Sequence, residues 1–175
     1  KVDMEGMKLE IDRNLVESLE EPLIHIIRNA VHHGIEERET RKAAGKEEIG
    51  YILIKGERLG NHIQISITDD GKGLDREKIV KKAIEQKMIT PDKGAALSDK
   101  DVFELIFHQG LSTADKVDYV SGRGVGMDIV KSTVLQHRGK VDIKTEKGVY
   151  TTISMIFPLS TAIIDGMIVI RNNVS

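Results

Sequence analysis

The stretch Pro22 to Gly34, PLIHIIRNAVHHG, reads as a helix whose two faces have different jobs. A helix turns about 100° per residue, so each side chain can be placed on a wheel with His25 at zero. Leu23, Ile26, Ile27, Ala30 and Val31 fall within an arc of about 140°, and Ile24 closes it. A stripe of that width is what a helix buries against a core. Arg28, His32, His25, Asn29 and His33 fill the other arc. Three imidazoles, an amide and a guanidinium, without solubilising Glu/Lys pairs, make either a histidine-rich solvated face or one wall of a site. Pro22 suits a first helical turn and Gly34 a C-terminal stop, so the spacing predicts a helix bounded by these two residues.

Upstream, Met7, Leu9 and Ile11 alternate with Lys8 and Glu10, which predicts a short half-buried strand. Asp12 can cap a preceding helix to about Glu20, with Leu15, Val16 and Leu19 inward. Downstream, Glu36 to Ala44 reads as a charged helical turn ending at Gly45. Tyr51 to Lys55 is strand-like, and Ile63, Ile65 and Ile67 alternate with polar residues, with Leu59-Gly60-Asn61 as the hairpin loop. Asp75 caps a helix to about Gln86. Met88 to Leu97 reads as loop, and Ser98 opens a helix in a capping-box pattern with Asp101. Gln109 to Arg123 is long, polar and without apolar period, as functional lids or disordered segments are. A helix beginning at Gly124 or Val125 runs to about Gly139. Val141 to Thr145 and Thr151 to Phe157 are two strands around Glu146-Lys147-Gly148, and Ala162 to Ile170 is a further apolar strand.

The chain has 175 residues, enough for one domain with a sizeable core. Its opening at Lys1-Val2-Asp3 suggests an excised piece of a longer protein. The absence of cysteine excludes disulfide frameworks, cysteine metal sites and thiol nucleophiles. A net charge of −2 with only three Tyr, three Phe and no Trp speaks against a nucleic-acid surface, which would want a basic excess and stacking rings. No apolar run approaches the roughly 18 residues of a membrane span.

Three motifs carry chemistry. Asp69-x-Gly71-x-Gly73 ends an Ile-rich strand. A carboxylate there can accept a hydrogen bond from an exocyclic amine such as adenine N6, and glycines let backbone approach a flat base. An EF-hand is excluded, because the alternating ligand positions and terminal Glu are missing. Gly122-Arg123-Gly124-Val125-Gly126 precedes a helix, where N–H groups and the dipole favour phosphate; the same glycines could serve as a hinge. It is neither a Rossmann fingerprint, because a polar loop and not a strand precedes it, nor a P-loop, because no Gly-Lys-Ser/Thr occurs. Third, His25, Asn29 and His33 stand at i, i+4 and i+8. An asparagine oxygen suits Mg²⁺ and histidines can orient or accept a proton. Zinc on His25, His32 and His33 is the competitor, although His32 and His33 splay about 100° apart.

In order, these motifs resemble the nucleotide-binding fold shared by histidine kinases, gyrase-type ATPases, Hsp90 and MutL, and most of all the catalytic domain of CheA-type chemotaxis histidine kinases. His25-Ile26-Ile27-Arg28-Asn29-Ala30 with His33-Gly34-Ile35-Glu36 resembles that family's N box, with His25 where ordinary sensor kinases carry Glu. Asp69-Asp70-Gly71-Lys72-Gly73 resembles its G1 box, and Ser121-Gly122-Arg123-Gly124-Val125-Gly126-Met127-Asp128 its G2 box. The chain departs from the family in three places. His32 stands for the usual Asp, Gln109-Gly110-Leu111-Ser112-Thr113 for Pro-Gly-Phe-Ser-Thr, and Tyr150-Thr151 for Gly-Thr.

The resemblance implies an α+β two-layer sandwich of the Bergerat (GHKL) kind: a mixed, mostly antiparallel sheet with helices on one face and a long ATP lid. Residues 1–158 would form the catalytic domain, and 159–175 the start of an SH3-like regulatory domain. ATP and Mg²⁺ would be bound, Asp69 holding adenine with Thr151 in support, and Gly71 and Gly73 admitting the base. Asn29 would hold Mg²⁺, and Ser121, Gly122, Arg123, Gly124, Val125 and Gly126 would cradle phosphates. His25 would be a base or orienting group, and His33 would contact phosphate. The acceptor would be a histidine on a phosphotransfer domain of the same protein, acting in trans within a homodimer. Chemoreceptor and coupling protein would dock through the regulatory domain and a response regulator would act downstream. The location would be cytoplasmic, at receptor arrays near the inner membrane, with no membrane insertion and no nucleic acid. The alternatives are a gyrase/Hsp90/MutL-like ATPase, or a decayed ATP-binding module.

Overall fold

The computed structural model describes residues 1–6, 9–108, 110–111 and 126–159. Its centre is a five-stranded sheet in the order β1-β2-β3-β5-β4. The strands are β1 (Val2–Glu5), β2 (Ile52–Leu59), β3 (His62–Asp69), β4 (Lys140–Glu146) and β5 (Tyr150–Pro158). Only β1 runs parallel to its neighbour; β2–β3, β3–β5 and β4–β5 are antiparallel. The mixed, mostly antiparallel sheet is the one expected from the sequence. The two-residue connection Gly60-Asn61 closes β2 onto β3, with Leu59 opposite His62. Gly60 takes the positive φ that such a tight hairpin requires.

The pleat sorts the strand residues. Ile63, Ile65 and Ile67 lie opposite Phe157, Met155 and Ile153, and all six are buried. Helices α1 (Arg13–Asn29) and α6 (Asp128–Gln136) cover this face through Leu15, Leu19, Ile26, Val130 and Val134. The opposite face carries Ser66 across from Ser154 and Thr68 across from Thr152, the threonine hydroxyls hydrogen-bonded at 2.9 Å. A smaller apolar cluster joins α3 (Arg76–Glu85) to α5 (Asp99–Glu104) through Ile79, Ala83, Val102 and Leu111.

Several expectations need correcting. The strand predicted over residues 7–11 is not seen in its described part, residues 9–11. The edge strand is Val2–Glu5, in which Val2, Met4 and Glu5 are exposed. The two helices predicted on either side of Pro22 are one, α1, with Pro22 inside it and buried. An interior proline costs about 3 kcal/mol. Burial of Leu15, Leu19 and Ile26 on the sheet, at roughly 1.5–3 kcal/mol each, outweighs it. Asp12 does cap this helix, accepting from Asn14 N–H and Leu15 N–H. Met88 to Leu97 contains a short helix, α4 (Pro91–Ala96), started by Thr90 and by Pro91 at its first turn. The remaining short helix is α2 (Arg38–Ala43). The last helix begins at Asp128 among the described residues. The predicted strand Ala162 to Ile170 lies outside the described residues, as do residue 109 and residues 112–123 of the expected lid.

Candidate functional site: a strand-end carboxylate facing a polar helix segment

β3 ends on Asp69, and strand register places Thr151 directly across from it on β5. Both side chains are buried, Asp69 at 6% exposure. Asp69 Oδ1 accepts from Gly71 N–H at 3.0 Å. Burial pushes this carboxyl up to about 6, against the opposing pull of the Gly71 hydrogen bond and of Lys46. A buried carboxylate with one oxygen committed to backbone and the other left for a donor suits an amine-bearing ligand.

The glycines beside it work differently from the sequence reading. A Cβ on Gly71 would sit 2.3 Å from Gly34 O and 2.7 Å from Asp69 Oδ1. One on Gly73, whose φ is +67°, would sit 2.3 Å from Glu146 O. Their missing side chains let backbone approach backbone: Gly71 meets the end of the helix segment, and Gly73 meets the β4–β5 turn. Lys72 N–H donates to Gly34 O at 2.9 Å, and Gly148 N–H donates to Lys72 O at 2.7 Å. The loop after β3 is thus fixed on both sides. Gly34, read from the sequence as a helix stop, also packs against the Asp69 carboxylate, where an added Cβ would lie 3.0 Å from Oδ1.

The polar helix face is real but changes pitch. α1 gives way at Ala30 to a π-helical turn, Ala30–Gly34, closed by Ile35 N–H donating to Ala30 O at 2.8 Å. π turns are rare and favour functional sites. The wider turn rotates each residue less than α geometry, so His33 stays near the side shared by His25 and Asn29. His25 and Asn29 are half-buried, while His32 and His33 are exposed. The apolar stripe narrows too: Ile26 and Ala30 are buried, but Ile24 and Val31 stand exposed. Asn29 Nδ2 donates to Met127 Sδ at 2.8 Å, which fixes the amide beside the start of α6. Its carbonyl oxygen is the hard donor that remains for a cation.

Electrostatics show what this face looks at. His25 is held below the usual histidine range, first by burial and then by Arg28; Asp128 and Glu21 pull the other way. His33 is lowered by burial, then by His32, Lys72 and Lys82. The face therefore senses α6 through Asp128, the loop after β3 through Lys72, and α3 through Lys82. A neutral imidazole at position 25 can accept a proton or a hydrogen bond. Zinc finds no support: among the described residues no group of three His, Asp or Glu is arranged to hold a metal. His32 and His33 have ring centroids 6.5 Å apart, tilted by 54°.

Of the sequence-predicted site, the structure brings Asp69, Gly71, Gly73 and Thr151 together at one strand end. It sets Gly34, at the close of the helix segment bearing His25, Asn29 and His33, against them. Ser121, Gly122, Arg123, Gly124 and Val125 lie outside the described residues; Gly126, half-buried, precedes α6. The sequence reading missed the residues beneath the site. Arg41, at 1% exposure, and Lys46 reach up from α2 and the loop after it to the backbone of Asp70 and Gly71. A run of charged residues ending in Gly-Lys carries no periodicity that would have marked one of them as buried.

Comparison with known proteins gives this arrangement relatives. The family model described as "Histidine kinase-, DNA gyrase B-, and HSP90-like ATPase" matches residues 18–161. The chemotaxis protein CheA of Klebsiella aerogenes is 44% identical over 167 residues, 95% of this chain and 25% of that protein. The sensor histidine kinase CheAY of Helicobacter pylori is 46% identical, over 95% of this chain and 21% of its own length. The chain thus spans a fifth to a quarter of these curated relatives. Among solved structures, a blue-light activated histidine kinase of Erythrobacter litoralis superposes over 93% of this chain and 36% of its own, with a TM-score of 0.56 at 13% identity, a likeness of fold.

Proposed function

Because the chain belongs to the family of histidine kinase-, DNA gyrase B- and HSP90-like ATPases, we propose that it is the ATP-binding catalytic unit of a CheA-type histidine kinase. The observation that carries the reading is the strand-end pair Asp69 and Thr151, set beside Gly34 where the polar helix segment ends. One desolvated acceptor and one hydroxyl suit the amine-bearing edge of adenine. The helix segment, carrying Asn29, His25 and His33, would then follow the phosphates away from the base.

The chain's own residues would do little covalent work, since phosphoryl transfer asks mainly for positioning and charge neutralisation. Asp69 would accept from adenine N6, with Thr151 beside it. Asn29, its amide nitrogen committed to Met127, would offer its carbonyl oxygen to Mg²⁺. When bound, the cation supplies charge neutralisation at the phosphates. His25, kept neutral by burial, would take a proton or orient the incoming group. His33, on the exposed side of the π turn, would contact phosphate. Ser121 to Gly126 would cradle the phosphates with backbone N–H groups, and the segment around 109–124 would exclude water. The phosphate would pass to a histidine on a phosphotransfer domain of the same protein, in trans within a homodimer. Receptor and coupling protein would act through a regulatory domain beginning near residue 159.

The test is to mix the chain with a separately expressed histidine-phosphotransfer domain and γ-labelled ATP. Label on that domain's histidine is the expected result. Hydrolysis without transfer would favour a clamp-type ATPase, and nucleotide binding alone a decayed module; either result rejects the kinase reading.

A further inference from the structure

Beneath the strand-end carboxylate lies a closed set of four charges. Arg41 donates from Nη2 to Asp70 Oδ2 at 2.7 Å, from Nη1 to Glu36 Oε2 at 3.1 Å and to Asp70 O at 3.2 Å, and from Nε to Glu47 O at 2.7 Å. Lys46 Nζ donates to Glu36 Oε1 at 2.9 Å, to Asp70 O at 2.8 Å and to Gly71 O at 2.7 Å. Asp70 Oδ1 in turn accepts from Tyr51 N–H at 2.8 Å. Two cations meet two carboxylates, so the set is balanced, and Arg41 is almost wholly buried. Breaking such a buried set by removing one partner leaves a charge unpaired.

The set does not touch the space above Asp69. It grips the two peptide units that follow Asp69 from below. The Gly71 N–H that holds Asp69 Oδ1 belongs to the stretch whose carbonyls Lys46 binds. Glu36 lies two residues beyond Gly34, so the set also ties the end of the π turn to the loop after β3. It has a second route to Asp69, through charge. The groups acting on that carboxyl are Asp70 at the same strand end, Lys46 from the loop after α2, and Glu36 from the segment after the π turn; Lys46 favours the ionised form and the two carboxylates oppose it. The cross-strand neighbours, Ile52 and Thr151, are uncharged.

We propose that Glu36, Arg41, Lys46 and Asp70 form a positioning cluster for nucleotide-base recognition, holding Asp69 in the rotamer and charge state that an amine donor requires. The inference rests on the reading of Asp69 as the base acceptor. Protonation of Asp69 would fall on Oδ2, because Oδ1 faces the Gly71 N–H, and would turn an acceptor into a donor facing an amine. Arg41 fixes the frame, while Lys46 and Glu36 set the balance of charge with opposite signs.

That opposition makes the role separable from a structural one. ADP without metal is titrated by calorimetry across pH 5 to 8 into the intact protein and into Lys46→Met, Lys46→Arg, Glu36→Gln and Asp69→Asn, each checked by thermal melting. Wild-type affinity should fall as pH drops through about 6. Lys46→Met should move that fall to higher pH and weaken ADP binding at pH 6 about three- to tenfold, and Lys46→Arg should restore it. Glu36→Gln should move the fall to lower pH. A merely structural role would change stability or binding stoichiometry without moving the profile in opposite directions. If Asp69→Asn leaves affinity unchanged at all pH values, the base-acceptor reading itself is wrong. If Asp69→Asn weakens binding and the profile stays fixed in the charge variants, the cluster proposal is overturned while the base reading stands. Should Lys46→Met not fold, Glu36→Gln decides alone: a downward move supports the proposal, and an unmoved profile overturns it.

Discussion

Asp69 and Thr151 sit on strands whose register is locked by neighbours on both sides, whereas His25, Asn29 and His33 sit on a helical segment that changes pitch between them. At the strand end the side chains are buried, and their loop is pinned at Gly34, Gly71 and Gly73 by backbone contacts a Cβ would break. On the helix, His25 and Asn29 are half-buried and His33 is exposed, and Asn29 is tied down by one sulfur contact to Met127. A site that must recognise a rigid ring and then follow a charged, variable chain has use for both. On the proposed reading, base recognition would be built into the sheet and phosphate contact into the helical segment.

The largest expected break of this contrast is Asn29→Asp in the full kinase. Replacing the amide with a second negative charge beside the phosphates should lower phosphotransfer by roughly a hundredfold or more. Metal-free ADP affinity should fall far less than phosphotransfer does, as calorimetry would check. Equal loss of both would mean that the two ends are not separate.

Next comes Asp69→Asn. Loss of a charge-assisted hydrogen bond should weaken nucleotide binding by about 1.5–3 kcal/mol. The unliganded fold should respond in the opposite direction. The folded-state value of Asp69 lies above its ordinary one, so its contribution to stability is present at low pH and is lost as pH rises from about 4 to about 6. Removing a charge held at that cost should stabilise the free protein at pH 7 by about 1–3 kcal/mol, read by denaturant titration. A destabilised variant would mean that Asp69 is a structural pillar.

A smaller effect is expected from pH alone. His25 and His33 are both held below the usual histidine value, so the stability they contribute is present above that value and fades as pH falls through their lowered folded values. Proton titration of the two rings by NMR should place both below a free imidazole; a raised His25 would contradict its role as a neutral acceptor. The mildest prediction is His33→Ala. This ring is exposed beyond the pitch change, so nucleotide affinity should change by less than about threefold and fold stability by under about 0.5 kcal/mol.

The sequence made the sheet legible because its signals are local. Ile63, Ile65 and Ile67 alternate, Gly60-Asn61 closes the hairpin, and Asp12, Asp75 and Ser98 cap helices as expected. Pro22 misled, since propensity argues from one residue while the helix is held by three buried neighbours spaced along it. The π turn was illegible for a related reason: nothing in Ala30-Val31-His32-His33-Gly34 distinguishes an i→i+5 bond from an i→i+4 bond. Asp69 could be picked out as a strand-end carboxylate, but its partners could not. Arg41 reaches Asp70 across 29 positions, and only the fold makes them neighbours.

The pairing of β3 with β5 has one more consequence. These strands are hydrogen-bonded along their whole length, yet Asp69 and Tyr150 are the ends of a long excursion that carries α3 to α6. In polymer terms the ladder is a staple closing one large loop. The entropy of such a closure grows only with the logarithm of length, about 0.6 kcal/mol for each doubling. Residues can therefore be gained or lost within the part of the excursion before β4 at little expense to the sheet. On the proposed reading, the stretch that would wrap the phosphates could change in length, while the strand ends that would hold the base stay paired.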